Sequence, residues 1–167
     1  VLALLALAAT LFLRPATVPH GQPEAPLVGM LDRIVVEKAA RRLTLWQGGK
    51  AVRRYSVALG FAPTGDKLRQ GDGRTPEGVF RIDRRNDRSR FHLSLGLDYP
   101  QAEDRALAKA GGYDPGGDIM LHGQPNLMPV GMKAKGDWTA GCIAVTDKQM
   151  EVIYSMVKPG TDIHILP

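Results

Sequence analysis

The chain has one cysteine, Cys142, in 167 residues. An internal disulfide is therefore excluded, and the thiol is either buried and inert or free and reactive. Aromatic residues make up only 6% of the chain, and the densest basic run, Arg81, Arg84, Arg85, Arg88 and Arg90, has none interleaved with it. That argues against a nucleic-acid partner. No close pair of His, Cys or Glu stands at ligand spacing, so no metal is expected. No apolar run reaches the roughly 20 residues that span a bilayer as a helix. No internal repeat is visible.

The longest apolar stretch, Val1 to Leu13, reads VLALLALAATLFL. Its length suits the apolar region of a secretory signal, about 7–15 residues. It lacks Met and a basic leader, so residues 1–13 are read as a truncated signal or membrane-anchor segment. Arg14-Pro15 interrupts any small-x-small cleavage site. No cysteine follows that could carry a lipid. Residues 14–30 are proline-rich at the start and lack apolar periodicity, as a linker does. Residues 31–167 are long enough for one domain with its own core.

Nineteen glycines and twelve prolines point to a turn-rich, mainly β domain rather than a helical bundle. Strands are expected at Ile34–Glu37, Arg41–Trp46, Val52–Leu59, Val79–Ile82, Phe91–Leu95, Asp118–Leu121, Cys142–Val145 and Thr161–Leu166, from β-branched content and period-two alternation. Two short helices are expected. One spans Asp104–Ala110 and stops at Gly111-Gly112; the other spans Asp147–Met156 and is capped by Thr146. Two long turn-rich stretches, 60–78 and 123–136, are functional or mobile by their length. The net charge is +5, and it is uneven. Residues 33–90 hold 15 Lys and Arg against 6 Asp and Glu. Such a face suits an anionic cell-wall polymer, or else it is a solvated arginine-rich loop.

The chemistry concentrates in Leu121-His122-Gly123 and Trp138-Thr139-Ala140-Gly141-Cys142-Ile143-Ala144-Val145. An imidazole beside a thiol can ionise it, and the thiolate is the nucleophile. Cys142 is thus the candidate nucleophile and His122 the candidate base. The amides of Gly141 and Cys142 are candidate oxyanion donors at a turn before a strand. The carbonyl of Gly123, or else Asp118, is the candidate group that holds the imidazole tautomer. Thr139, Trp138 and Asp118 flank the pair as candidate substrate contacts. His20, His92 and His164 are weaker candidates.

At these residues the chain resembles the L,D-transpeptidase catalytic domain, also called the YkuD-type domain. The likeness rests on His122-Gly123, then Thr139-Ala140-Gly141-Cys142-Ile143. It is supported by Thr75-Pro76-Glu77-Gly78 before a strand and by Pro115–His122 leading to the histidine. It implies a β-sandwich of mixed sheets with a cleft, needing no cofactor. The implied substrates are peptidoglycan stem peptides, cut between an L-centre, typically of diaminopimelate at the third position, and the next D-residue. Cys142 would form the thioester while His122 shuttles the proton. An amine acceptor would then give a cross-link or anchor a lipoprotein, and water would give hydrolysis. The implied setting is the periplasm or cell envelope, in cell-wall biogenesis and shape. Many members carry Arg or Asn two residues after the cysteine, where this chain has Ala144. The form Trp-Thr-x-Gly-Cys-Ile-Ala resembles a branch that includes a hydrolase releasing murein-bound lipoprotein, which keeps a carboxypeptidase or amidase as the alternative.

Overall fold

The computed structural model describes residues 26–129 and 131–167. The expected signal or anchor segment at 1–13, and His20, lie outside them. Among the described residues no helix is long and apolar enough to cross a membrane.

Ten elements follow in the order β1 (Arg33–Glu37), β2 (Arg42–Gln47), β3 (Lys50–Ser56), β4 (Gly78–Ser89), β5 (His92–Leu97), α1 (Ala102–Gly111), β6 (Met120–His122), β7 (Ile143–Ala144), α2 (Asp147–Met156) and β8 (Asp162–Leu166). The strands lie in the order β3-β2-β1-β8-β4-β5-β6-β7. Ile34 and Val36 of β1 and Ile163 and Ile165 of β8 are buried, and these strands pair in parallel. The last strand therefore sits between β1 and β4, and the core is complete only when the C-terminus joins it.

β4 turns this sheet into two layers. Gly78 to Arg81 pairs with β8, while Ile82 to Ser89 pairs with β5. The register slips between Ile82 and Arg84, and an extra residue of this kind bends a strand and increases its twist. Each layer contains one parallel pair, β1 with β8 and β6 with β7. The result is the expected sandwich of mixed sheets. β4 is far longer than Val79–Ile82 because alternation persists through the arginine run: Phe80, Ile82 and Ser89 are buried while most residues between them face out.

That run is therefore strand, not loop, and several of its cations have internal partners. Arg84 bonds Asp83 and Asp118. Arg85 stacks on the Tyr154 ring at 3.8 Å and donates to the carbonyls of Tyr154 and Val157. α2 has no basic residue in its own last turn, so Arg85 supplies the positive charge that a helix C-terminus favours. At its start, Thr146 and Gln149 form a reciprocal capping box. Met150, Ile153 and Met156 bury its inner face.

The stretch from Val57 to Glu77 is tied down by two polar hubs. Lys38, 2% exposed, donates to the carbonyls of Gly65 (2.6 Å) and Thr75 (2.8 Å) and to Glu77 Oε1 (2.8 Å). Asp72 accepts from the amides of Leu68, Arg69 and Arg74 and from Lys67 Nζ. Burial works against the Asp72 carboxylate, but the Lys67 ammonium and the three amides outweigh it and hold its pKa down to about 2.

A carboxyl whose pKa falls on folding adds stability above its unfolded value, near 3.8, and loses it as pH drops through the folded value. Asp72→Asn is expected to cost about 1–3 kcal/mol at pH 7 in urea unfolding. The gap between variant and parent should narrow between pH 4 and about 2. An unchanged gap over that window would remove Asp72 as the loop's anchor.

Candidate active site

β6 and β7 run parallel, with Leu121 opposite Ile143 and His122 opposite Ala144. Cys142 sits just before β7. Being two residues from Ala144, it lies on the same side of the chain as Ala144, the partner of His122. The approach to Cys142 is a turn locked by Thr139. Its hydroxyl donates to the Cys142 carbonyl at 2.7 Å and accepts from the Gly141 amide at 3.2 Å. Gly141 has φ 137°, and a Cβ there would lie 2.7 Å from the Arg74 carbonyl oxygen. Only glycine fits that crossing.

The chain after β3 closes on both sides of the turn. Ala58 and Ala144 exchange backbone bonds of 2.9 and 2.8 Å, and Phe61 N donates to the Thr139 carbonyl at 2.9 Å. Gly60 packs so closely that a Cβ would fall 3.0 Å from Gly141 Cα.

His122 is 2% exposed. Its Nδ1 bonds the Gly123 carbonyl at 2.7 Å, so that nitrogen carries the proton and Nε2 is the basic one. Phe91 stacks on the ring with centroids 4.5 Å apart, and Trp138 meets it edge-on at 5.6 Å. Gly123 has no room for a side chain, since a Cβ would lie 2.6 Å from Asp147 Oδ1. The Cys142 sulfur accepts from the Met120 amide at 3.4 Å and donates to the Asp118 carbonyl at 3.5 Å. No hydrogen bond joins it to His122 among the described residues.

Burial pushes the His122 pKa down, with the Gly123 bond opposing it. Burial also pushes the Cys142 thiol up, against the Met120 amide and the Lys67 charge. Both effects favour the neutral pair. An imidazole beside a thiol can ionise it; here the dry aromatic surroundings favour the thiol and the neutral ring.

Three further candidates behave differently from the sequence reading. The Gly141 amide is engaged by Thr139, so it is not a free oxyanion donor; Gly141 serves the turn. Thr139 is 4% exposed with its hydroxyl doubly bonded, so it orders the nucleophile turn rather than meeting substrate. The Asp118 side chain is 90% exposed and pairs with Arg84 at 3.0 Å. It does not hold the imidazole, and only its carbonyl touches the thiol. Trp138 is half-buried, and its indole N–H has no partner among the described residues. His92 pairs with Glu151 at 3.0 Å, and His164 faces outward on β8.

Phe91, Arg84 and Lys67 were missed. Phe91 had a signal, an aromatic at the start of an alternating strand. Arg84 reaches Asp118 from β4, opposite Gly96 of β5; a Cβ at 96 would lie 2.6 Å from the Arg84 side chain. No local pattern announces such a crossing. Among the described residues no group of three His, Cys, Asp or Glu is placed to hold a metal.

Comparison with known proteins places the chain in a family. The YkuD model, the L,D-transpeptidase catalytic domain, matches residues 31–165. The chain belongs to the L,D-transpeptidase catalytic domain family and is an enzyme domain of that type. It is 28% identical over 154 residues to YafK of Escherichia coli (strain K12), designated "Putative L,D-transpeptidase", covering 84% of this chain and 56% of that protein. It is 28% identical over 161 residues to the "Probable L,D-transpeptidase" YcfS of the same strain, covering 86% of this chain and 45% of that protein. The chain thus spans about half the length of these relatives. The helical cell shape determining protein Pgp2 of Campylobacter jejuni shares the fold with a TM-score of 0.62 at 23% identity, covering 87% of this chain and 51% of that one. An L,D-transpeptidase of Xylanimonas cellulosilytica does so with a TM-score of 0.54 at 14% identity, covering 87% and 64%.

The neutral pair has a kinetic signature. Alkylation of Cys142 by iodoacetamide should rise with pH through a midpoint above the roughly 8.5 of a free thiol. A midpoint below that of free thiol, read from rates between pH 5 and 10, would show a resting thiolate instead.

Proposed function

We propose that this domain is a cysteine acyltransferase of the bacterial envelope that cuts and rejoins peptidoglycan stem peptides, with Cys142 as nucleophile and His122 as base. The observation that carries this reading is the glycine-crossed turn that holds Cys142 against β6. There the only fixed imidazole nitrogen of His122 is the one turned to Gly123. Nε2 is left to take the thiol proton as the sulfur attacks the scissile carbonyl. A neutral pair suits transfer concerted with attack, because a general base must be unprotonated before it can accept the thiol proton. The sulfur–carbon bond forms, the carbonyl oxygen gains the charge, and the Cys142 amide is the remaining candidate donor for it. The imidazolium then protonates the leaving amine, giving a thioester. An incoming amine gives transpeptidation; water gives hydrolysis, the carboxypeptidase or lipoprotein-releasing alternative.

Export, a membrane anchor, and a role in cell-wall organisation or cell shape belong to the same proposal. They are supported by the Val1–Leu13 segment and by the relatives' names.

Cys142→Ala should abolish turnover of defined tetrapeptide muropeptides, and His122→Gln should lower it by about 10²-fold or more. Intact-mass analysis with and without an added amine acceptor reads the product. Full turnover by Cys142→Ala would end the proposal. Products that never incorporate the amine would favour the hydrolase.

A further inference from the structure

A groove of about 580 Å³ runs beside the site, walled by residues 54–58, 133–137 and 144–146. Ala144 is part of its wall, pairs with His122 and follows Cys142 by two residues. The groove therefore borders the nucleophile's own strand. Its charge is one-sided. Arg41, Arg54, Lys133 and Lys135 line it against a single carboxylate, Asp137. Asp137 is already held by Arg41 at 2.8 Å and by the Leu59 amide at 2.9 Å. Glu37 feels the Arg54 charge, but Arg54, Lys133 and Lys135 make no ion pair among the described residues. All three are exposed.

Three cations without carboxylate partners, facing one concave space, repel each other and attract anions. A long side chain at position 144 would occupy the wall; the methyl of Ala144 leaves the space open to a ligand. The concavity is large enough for several residues of an extended peptide, within the range of ligand clefts.

We propose that this groove is a carboxylate-recognition subsite, in which Arg54, Lys133 and Lys135 hold free carboxylates of the peptide that runs to Cys142. The inference rests on the reading of stem peptides as substrate and adds which of their groups this chain selects. It makes the cations of the groove the specificity determinants.

The test uses binding, not turnover. Cys142→Ala protein is titrated calorimetrically with a tetrapeptide stem bearing free carboxylates and with the same peptide carboxamidated. The free form is expected to bind about tenfold tighter at low salt, the equivalent of roughly 1.4 kcal/mol, and the preference should shrink in 0.5 M salt as screening shortens. Adding Arg54→Ala, Lys133→Ala and Lys135→Ala should cut the preference to about twofold, since exposed pairs contribute little each. The same triple variant with Cys142 intact should keep the parent's iodoacetamide rate, which shows an undisturbed site. Equal binding of both peptides, or a preference that survives the triple variant, overturns the inference alone. Binding of neither peptide overturns the stem-peptide reading and this inference with it.

Discussion

The backbone contact between Ala58 and Ala144 governs the geometry of the site. Through it the end of the curled sheet meets the chain that leaves β3, and the two bonds are short and mutual. With Phe61 bonded to Thr139 on the other side, Cys142 is bracketed by one segment of extended chain. Such an approach tolerates no side chain where backbones cross, and this accounts for glycine at 60 and 141, while at Gly73 it is the Phe61 ring that leaves no room for a Cβ. A Cβ at Gly60 would sit 2.1 Å from the Gly73 carbonyl oxygen. The bracket is only as rigid as the segment that makes it. Lys38 and Asp72 hold that segment by charge-assisted bonds, the stronger class. A lysine on the β1–β2 turn thereby helps to fix a cysteine more than 100 positions later.

The same packing sets the chemistry. Phe91 and Trp138 exclude water from the His122 ring, which orients the imidazole and lowers its basicity together. A ring that is neutral at rest can accept a proton; a buried imidazolium could not. Burial pushes the Cys142 thiol up in the same way. Oxidation follows thiolate character, so burial that favours the neutral thiol also slows its oxidation.

Much of the domain can be read from residue order, for reasons that differ by element. α2 has the expected limits because Thr146 and Gln149 cap it locally. β1, β2 and β8 follow from alternation that the buried faces of Ile34, Leu43, Leu45 and Ile163 enforce. β4 reaches beyond its expected end because charged residues read as loop, whereas a sheet face turned to solvent accepts them in alternation. The nucleophile turn stands out in the sequence as a glycine before the lone cysteine. The direction of the Gly141 amide does not, because it depends on a hydroxyl two residues earlier. Lys38, Lys67, Asp72 and Arg84 are silent in sequence for a plainer reason: their partners are contributed by other segments, and long-range polar bonds leave no local period. The 60–78 stretch is expected to be functional or mobile by its length, and in the fold it is tied down by those same bonds.

The excess of positive charge illustrates the difference between composition and placement. Summed along residues 33–90 it suggests a broad basic face. In the fold, Arg84 is drawn to Asp83 and Asp118, Arg85 to the end of α2, and Arg42 to Glu37 at 2.6 Å. Lys38 and Lys67 are buried against carboxylates. These cations support the fold and offer little field to a ligand, because all but Arg85 pair directly with a carboxylate and Arg85 is taken up by two carbonyls and a ring. Those without carboxylate partners in the groove are different. Arg54 comes from the basic half, while Lys133 and Lys135 come from the half that is acidic on balance. A field that matters for binding is therefore assembled across the two halves, around Ala144, and it is invisible to any count made along one segment.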